Sequence, residues 1–281
     1  MDDIEIYEYR RLDLRDSFII DGFPSVGLVS TITASYIVAA LDMELIGVMD
    51  SVYFPTVSVI RDGEPHHPVR FYAGDLEGPD GDWTRLVVFL SEFQPPSNLI
   101  KLICNTVLDW AEEQKCSCLI SPEGLVIEGD NPQPEGGSGE EEDKEGNGKL
   151  QVQNISPQQL MGDKSVYGLS STASGKDRLQ KAKVSIFPEG LISGIPGVLL
   201  NEGKKRNFEV TCLLAEAQDN IPDARAAAGI IEVLKGIIPY LEIDLAPLYA
   251  EADLLEAKMR GYQKISKPGG KKTIPSPSMY G

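Results

Sequence analysis

The sequence predicts an α/β fold, a single domain with a mixed sheet flanked by helices, and three observations carry that expectation. Short apolar runs alternate with helical patterns through most of the chain. Leu86-Val-Val-Phe-Leu90 is an unbroken apolar run, as a strand buried on both faces requires. Glycine and proline punctuate the junctions between the two patterns, at Gly22-Phe-Pro-Ser25, Pro95-Pro96 and Gly190 to Gly197.

Taken in order, Phe18 to Ile20 reads as a strand, and Asp21-Gly22-Phe23-Pro24-Ser25 turns it into a helix of small and β-branched residues from Val26 to Leu41. Leu45 to Met49 returns as a strand. Val57 to Ile60 and Val69 to Tyr72 flank Arg61-Asp62-Gly63-Glu64, whose Asp-Gly pair predicts a hairpin between them. After the Leu86 to Leu90 strand, Pro95-Pro96-Ser97 opens a helix to about Gln114, followed by a strand from Cys118 to Ile120. Ser165 to Leu169 and Val184 to Phe187 read as strands on either side of a short helix. Gly194 to Glu202 reads as helix, Phe208 to Ala215 as strand, and Asp223 to Lys235 as helix.

The α/β core domain accounts for residues 1–244. Within it, GDNPQPEGGSGEEEDKEGNGK, residues 129–149, is acidic and has no apolar side chain to bury, so it reads as a disordered insertion. Leu245, Leu248, Ala252, Leu255, Met259 and Tyr262 recur at steps of three and four, predicting a C-terminal helix over 245–263 that packs on its own domain or on a sister subunit. Residues 264–281 carry Lys264, Lys267, Lys271 and Lys272 and no acid, while Pro268, Pro275 and Pro277 forbid a helix. That segment reads as a flexible basic tail.

Composition narrows the function classes. The chain has 281 residues, 42% of them apolar, enough for a substantial core. Its net charge of -17 argues against phosphate-backbone binding, so no nucleic-acid partner is expected. Met1-Asp2-Asp3-Ile4-Glu5 is unlike a secretory leader, and the apolar run from Ile32 to Met49 is interrupted by Asp42 and Glu44. A cytoplasmic protein with no membrane partner is the expectation. Cys104, Cys116, Cys118 and Cys212 form no paired Cys-x-x-Cys spacing, and alternation along a strand would put Cys116 and Cys118 on one face as buried thiols.

The motifs for catalysis are incomplete. Gly168 to Lys176 resembles a phosphate loop, but Ser170 stands where its first glycine belongs and Asp177 replaces the magnesium-holding hydroxyl. The turns at Gly22 and Gly27, and at Gly194 and Gly197, are candidate anion-binding turns, the second because it opens a helix with free amides. Tight turns and close packing explain the same glycines. His66 and His67 are adjacent and would point apart, so neither a metal site nor a triad is expected. Asp21, Glu92, Asp219 and Asp223 stand at element ends where carboxylates sometimes act as acid or base; helix capping suits Asp223 and surface solvation Asp219. No nucleophile is assembled with a base, no cofactor is expected, and the chain does not read as an enzyme.

Five stretches together resemble the proteasome assembly chaperone family in its archaeal form. They are Gly22-Phe-Pro-Ser-Val-Gly27-Leu-Val-Ser, Leu90-Ser-Glu-Phe-Gln-Pro-Pro96, Val166-Tyr-Gly168, Gly190-Leu-Ile-Ser-Gly-Ile-Pro-Gly-Val-Leu-Leu200 and Pro222-Asp-Ala-Arg-Ala-Ala-Ala228, in the family's order across residues 18–240. The resemblance implies a single domain similar to the nucleoside phosphorylase-like core, self-association into a homo-oligomer, and no established catalytic centre. The insertion 129–149 departs from the compact family pattern.

The resemblance also gives the last three residues a role. Met279-Tyr280-Gly281 has the hydrophobic-tyrosine-any-residue form with which proteasome activators and some assembly factors end. It implies docking on the proteasome core particle, where the terminal carboxylate meets a lysine between neighbouring α-subunits while Tyr280 and Met279 fill apolar contacts. From Gly261 to Gly281 a Gly-rich coil reaches roughly 25 Å, so several tails on one oligomer can bind as a set. The rival expectation is a small-molecule-binding enzyme, nucleoside-handling or of the carboxylate-amine ligase type, that holds an anion in the two glycine turns.

Overall fold

The computed structural model describes residues 4–126, 166–218 and 221–254. The insertion 129–149, Asp219, the far half of the C-terminal stripe (Leu255, Met259, Tyr262) and the tail with Met279, Tyr280 and Gly281 lie outside the described residues.

Eleven strands are described: β1 (Glu5–Glu8), β2 (Phe18–Ile20), β3 (Glu44–Asp50), β4 (Val59–Arg61), β5 (Glu64–His66), β6 (Val69–Glu77), β7 (Trp83–Ser91), β8 (Cys118–Leu125), β9 (Tyr167–Ser170), β10 (Ser185–Ile186) and β11 (Glu209–Glu216). Nine of them form one mixed sheet in the order β1-β3-β6-β7-β2-β8-β11-β9-β10. Its centre, β7-β2-β8-β11, is parallel, and β1, β3 and β6 extend it as an antiparallel wing. The helices are α1 (Val29–Ala40), α2 (Ser97–Glu113), α3 (Ala173–Lys181), α4 (Gly194–Arg206) and α5 (Ala224–Ile237).

Alternation along the central strands divides the core into two layers. Ile20, Val88, Ile120 and Leu213 face α1, α5 and the C-terminal segment, where Ala34, Ile37, Ile231 and Leu234 meet them. Ile19, Val87, Phe89 and Leu119 face α2 and α4, where Ile103, Leu108, Trp110 and Leu199 close the other side. Each such side chain contributes roughly 1.5–3 kcal/mol by leaving water. Both faces of the parallel centre are therefore covered, which is why its strands read as continuous apolar runs.

The Asp62-Gly63 turn is where the sequence places it, with both residues at positive φ, 52° and 83°. It closes a separate two-stranded ribbon, β4 on β5, however, and Val69 to Tyr72 belongs to β6 of the main sheet instead of pairing across that turn. The helix expected from Val26 starts as a 3-10 turn over Val26–Leu28, with Gly27 and Leu28 left-handed, before α1 proper begins. Cys116 and Cys118 do not share a face: Cys116 precedes β8 and packs on the α2 side, whereas Cys118 faces α5. All four cysteines are buried and free, and burial pushes Cys118 up to about 12, leaving it an inert thiol. Leu245, Leu248 and Ala252 are buried against α1 and α5, so the described part of the C-terminal stripe, helical over 246–254, packs on its own domain.

Candidate functional site

Two adjacent parallel strands set the site. Ile19 and Leu119 are register partners on the α4-facing side of β2 and β8. Two residues on from Ile19, the same face carries Asp21; four on from Leu119, it carries Glu123. Both carboxyl groups thus emerge beyond the carboxyl end of β2, in the crevice where open α/β sheets place ligands. β8 can continue past Pro122 because β2 has already ended: the Asp21 amide donates to the Ile120 carbonyl at 3.0 Å, and the missing Pro122 N–H would point to that same vacated side.

Asp21 is 3% exposed and Glu123 7%. Asp21 Oδ1 accepts from the Phe23 amide at 3.3 Å and from the Ser30 hydroxyl at 3.5 Å; Oδ2 and the Ser121 hydroxyl oxygen are both buried and make no hydrogen bond of good geometry among the described residues, although that hydroxyl acts on the carboxyl electrostatically. Burial pushes this carboxyl up to about 6, against the opposing pull of the Ser121 hydroxyl, the Phe23 amide and the Ser30 hydroxyl. Glu123 Oε1 accepts from the Val26 and Gly124 amides at 3.3 and 3.1 Å. Burial first, and then the Asp21 charge, push Glu123 up to about 8.

A cavity of about 100 Å³ opens beside the pair, lined by Asp21, Phe23, Ser25, Gln94, Glu123 and the start of α4 from Ser193 to Pro196. The two glycine turns meet here, but their glycines do different work. Gly194, at φ 72°, bends the chain into α4 and lines the cavity. Gly22 and Gly197 permit close packing: a Cβ on Gly22 would lie 2.4 Å from Ala34 Cβ, and one on Gly197 2.3 Å from the Ile192 carbonyl oxygen. Gly27 turns towards α5, its carbonyl accepting from the Asp223 amide at 2.8 Å.

The other candidates scatter. Burial pushes the Glu92 carboxyl up, but the fully buried Arg70 and then Arg61, both bonded to it, together hold it below the usual range. Asp223 caps α5 through the Ala226 amide at 2.9 Å, as its position implied. His67 lies 3.9 Å from Asp50, and His66 closes β5. Among the described residues, no group of three or more His, Cys, Asp and Glu side chains could hold a metal ion, and no helix is long and apolar enough to cross a membrane. Sequence reasoning passed over Glu123 because the expected strand stopped at Ile120; the parallel register of β8 with β11, running on to Leu125, was the missing signal.

Two solved structures share this architecture along most of their length, and a third relative matches in sequence. The crystal structure of Pyrococcus furiosus PbaA, described as an archaeal homolog of proteasome-assembly chaperone, is 26% identical with a TM-score of 0.71, covering 93% of this chain and 92% of that one. Pyrococcus furiosus PbaB, described as an archaeal proteasome activator, shares the fold at 22% identity and a TM-score of 0.70, covering 94% and 100%. An uncharacterized protein of Methanocaldococcus jannaschii is 24% identical over 260 residues, 92% of this chain and 91% of that one. The PAC2 family model matches residues 19–263, a span that begins in β2 and takes in both carboxyl groups, both glycine turns and every helix, and on that match the chain belongs to the PAC2 family.

Proposed function

We propose that this chain is a cytoplasmic, homo-oligomeric proteasome assembly chaperone or activator-like protein, without catalytic turnover, that docks on the α-ring of the core particle through Met279-Tyr280-Gly281. The observation that carries this reading is the coincidence of PAC2 membership with a hydrophobic-tyrosine-any-residue ending on a basic, proline-punctuated segment. The description of PbaA as a homolog of a proteasome-assembly chaperone supports the same partner. A three-residue contact is weak on its own, and several such endings on one oligomer bind as a set through effective concentration.

Peptide hydrolysis by an archaeal core particle, and native-gel analysis of its assembly intermediates, test the proposal. The intact chain shifts one of the two, and Tyr280→Ala removes the effect while leaving thermal stability unchanged. No effect of the intact chain on either readout, or equal effects of both proteins, overturns it. The rival small-molecule enzyme draws on the cavity at Asp21 and Glu123; stabilisation by nucleoside or nucleotide that survives deletion of 264–281 would favour it.

A further inference from the structure

The main sheet ends at β1, and half of that strand's backbone is unpaired. Among the described residues its one strand partner is β3. In an antiparallel ladder, pairs that exchange hydrogen bonds alternate with pairs that do not. The Tyr9 amide donates to the Ile46 carbonyl at 2.7 Å, so in this register the exchanging pairs are Tyr7 with Val48 and Glu5 with Asp50. The amides and carbonyls of Ile6 and Glu8 therefore point away from β3, and no backbone group among the described residues meets them. The opposite end of the sheet offers less: β10 is two residues long and Pro188 follows it closely.

A groove of about 920 Å³ runs between β1 and α2. Its α2 wall is one helical stripe, Leu102, Thr106, Asp109 and Glu113, at steps of three and four, and Ile4, Ile6 and Trp110 add apolar lining. Ile4 and Ile6 face the α2 side of the sheet, and a strand laid along β1 would turn alternate side chains to that same side.

Charge selects the occupant. Of the ionisable groups along the groove, Glu5, Glu8, Asp109 and Glu113 are acidic and Arg11 alone is basic. Asp109 is paired with Arg206, whereas Glu5, Glu8 and Glu113 have no cation against them among the described residues. A second copy of β1 would set Glu5 and Glu8 beside the same acids, which is unfavourable. The basic segment 264–281 follows a helix, 246–254, that is packed on the far face of the sheet. We propose that the free edge of β1 takes up an extended, lysine- or arginine-bearing segment of a partner protein as an added strand. Its backbone pairs with Ile6 and Glu8, and alternate side chains enter the groove, the basic ones towards Asp109 and Glu113. This surface goes beyond the docking of Met279-Tyr280-Gly281 and uses none of those residues.

Fluorescence anisotropy of labelled peptides with the full chain tests the assignment. The probes are acetyl-Lys-Ile-Lys-Val-Lys-amide, its Glu-Ile-Glu-Val-Glu counterpart, and the basic peptide with its three central backbone nitrogens methylated. The basic peptide binds at low salt with a Kd on the order of 10⁻⁴ M, and the acidic and methylated peptides bind at least tenfold more weakly. Glu113→Lys, at an exposed position, weakens the basic peptide about tenfold and leaves the melting midpoint unchanged. In amide hydrogen exchange, the basic peptide at about ten times its Kd slows Ile6 and Glu8 about tenfold. The proposal is overturned if the basic peptide does not bind, if either control peptide or Glu113→Lys matches it, or if Ile6 and Glu8 exchange at unchanged rates. It is overturned equally if these two amides are protected without peptide and lose that protection on deletion of 264–281, which would make the tail the occupant, or on dilution, which would make it a second copy.

Discussion

Glu123 holds its proton well above the ordinary value of 4.5, and the sign of its effect on stability follows from that. Between about 4.5 and about 8 the native chain keeps a proton that the unfolded chain has released, so stability falls as pH rises through this window. Asp21 adds a second fall between 3.8 and about 6. Both groups are buried, and among the described residues no cation acts on either. Glu123→Gln, which cannot ionise, therefore flattens the pH dependence above about 6 and gains stability relative to the parent at about pH 8; denaturant midpoints across that range check it, and an unchanged slope would show that Glu123 titrates normally. Arg70 is the opposite case, a buried charge with partners. Its guanidinium is 0% exposed and donates to the Tyr72 hydroxyl at 3.0 Å, the His67 carbonyl at 2.8 Å and Glu92. Arg70→Leu removes these three hydrogen bonds while Glu92 keeps Arg61 and its contact with solvent, so the fold loses about 1–3 kcal/mol, measured by chemical denaturation. A loss below about 1 kcal/mol would mean that the cluster is held by its surroundings and not by the charge.

At the scale of elements, the helix starts are where local chemistry decides most. Asp223 both caps α5 and ties its first turn to the Gly27 carbonyl. Asp223→Ala costs about 1 kcal/mol and leaves the 3-10 turn before α1 less protected in amide hydrogen exchange; equal protection in both proteins would contradict that coupling. Elements with one strong local signal were legible in the sequence: the double-proline start of α2, the Asp-Gly turn, the apolar run of β7. Those that depend on a neighbour were not. β1, Glu5-Ile-Tyr-Glu8, is a mostly exposed strand whose one partner among the described residues is β3, so it carries no apolar alternation. α4 runs past Glu202 to Arg206 because Gly203, which reads as a stop, lies where a Cβ would come within 2.5 Å of Val210; the helix ends instead at left-handed Asn207. Of the site, Asp21 and Gly194 were legible as an element-end acid and a turn. Glu123 became visible only through strand register.

For the whole molecule, charge is distributed unevenly: the chain carries -17 in total, while 264–281 holds four lysines and no acid. Such a segment is steered by an acidic surface and its binding weakens with salt. In the PAC2 body, three layers deep, the 246–254 helix packs beside α5 on one face of the sheet. The cavity at Asp21 and Glu123 lies on the opposite, α4-facing side. Substitutions at the cavity are therefore expected to leave the proposed core-particle docking unchanged. Docking as proposed depends most on Tyr280 and the carboxylate of Gly281, and the most direct measurement is affinity for the core particle of this chain against the same chain carrying one added residue after Gly281. Loss of about tenfold or more in affinity, with an unchanged melting midpoint, is the expected result; equal affinity for the two proteins would contradict the docking role.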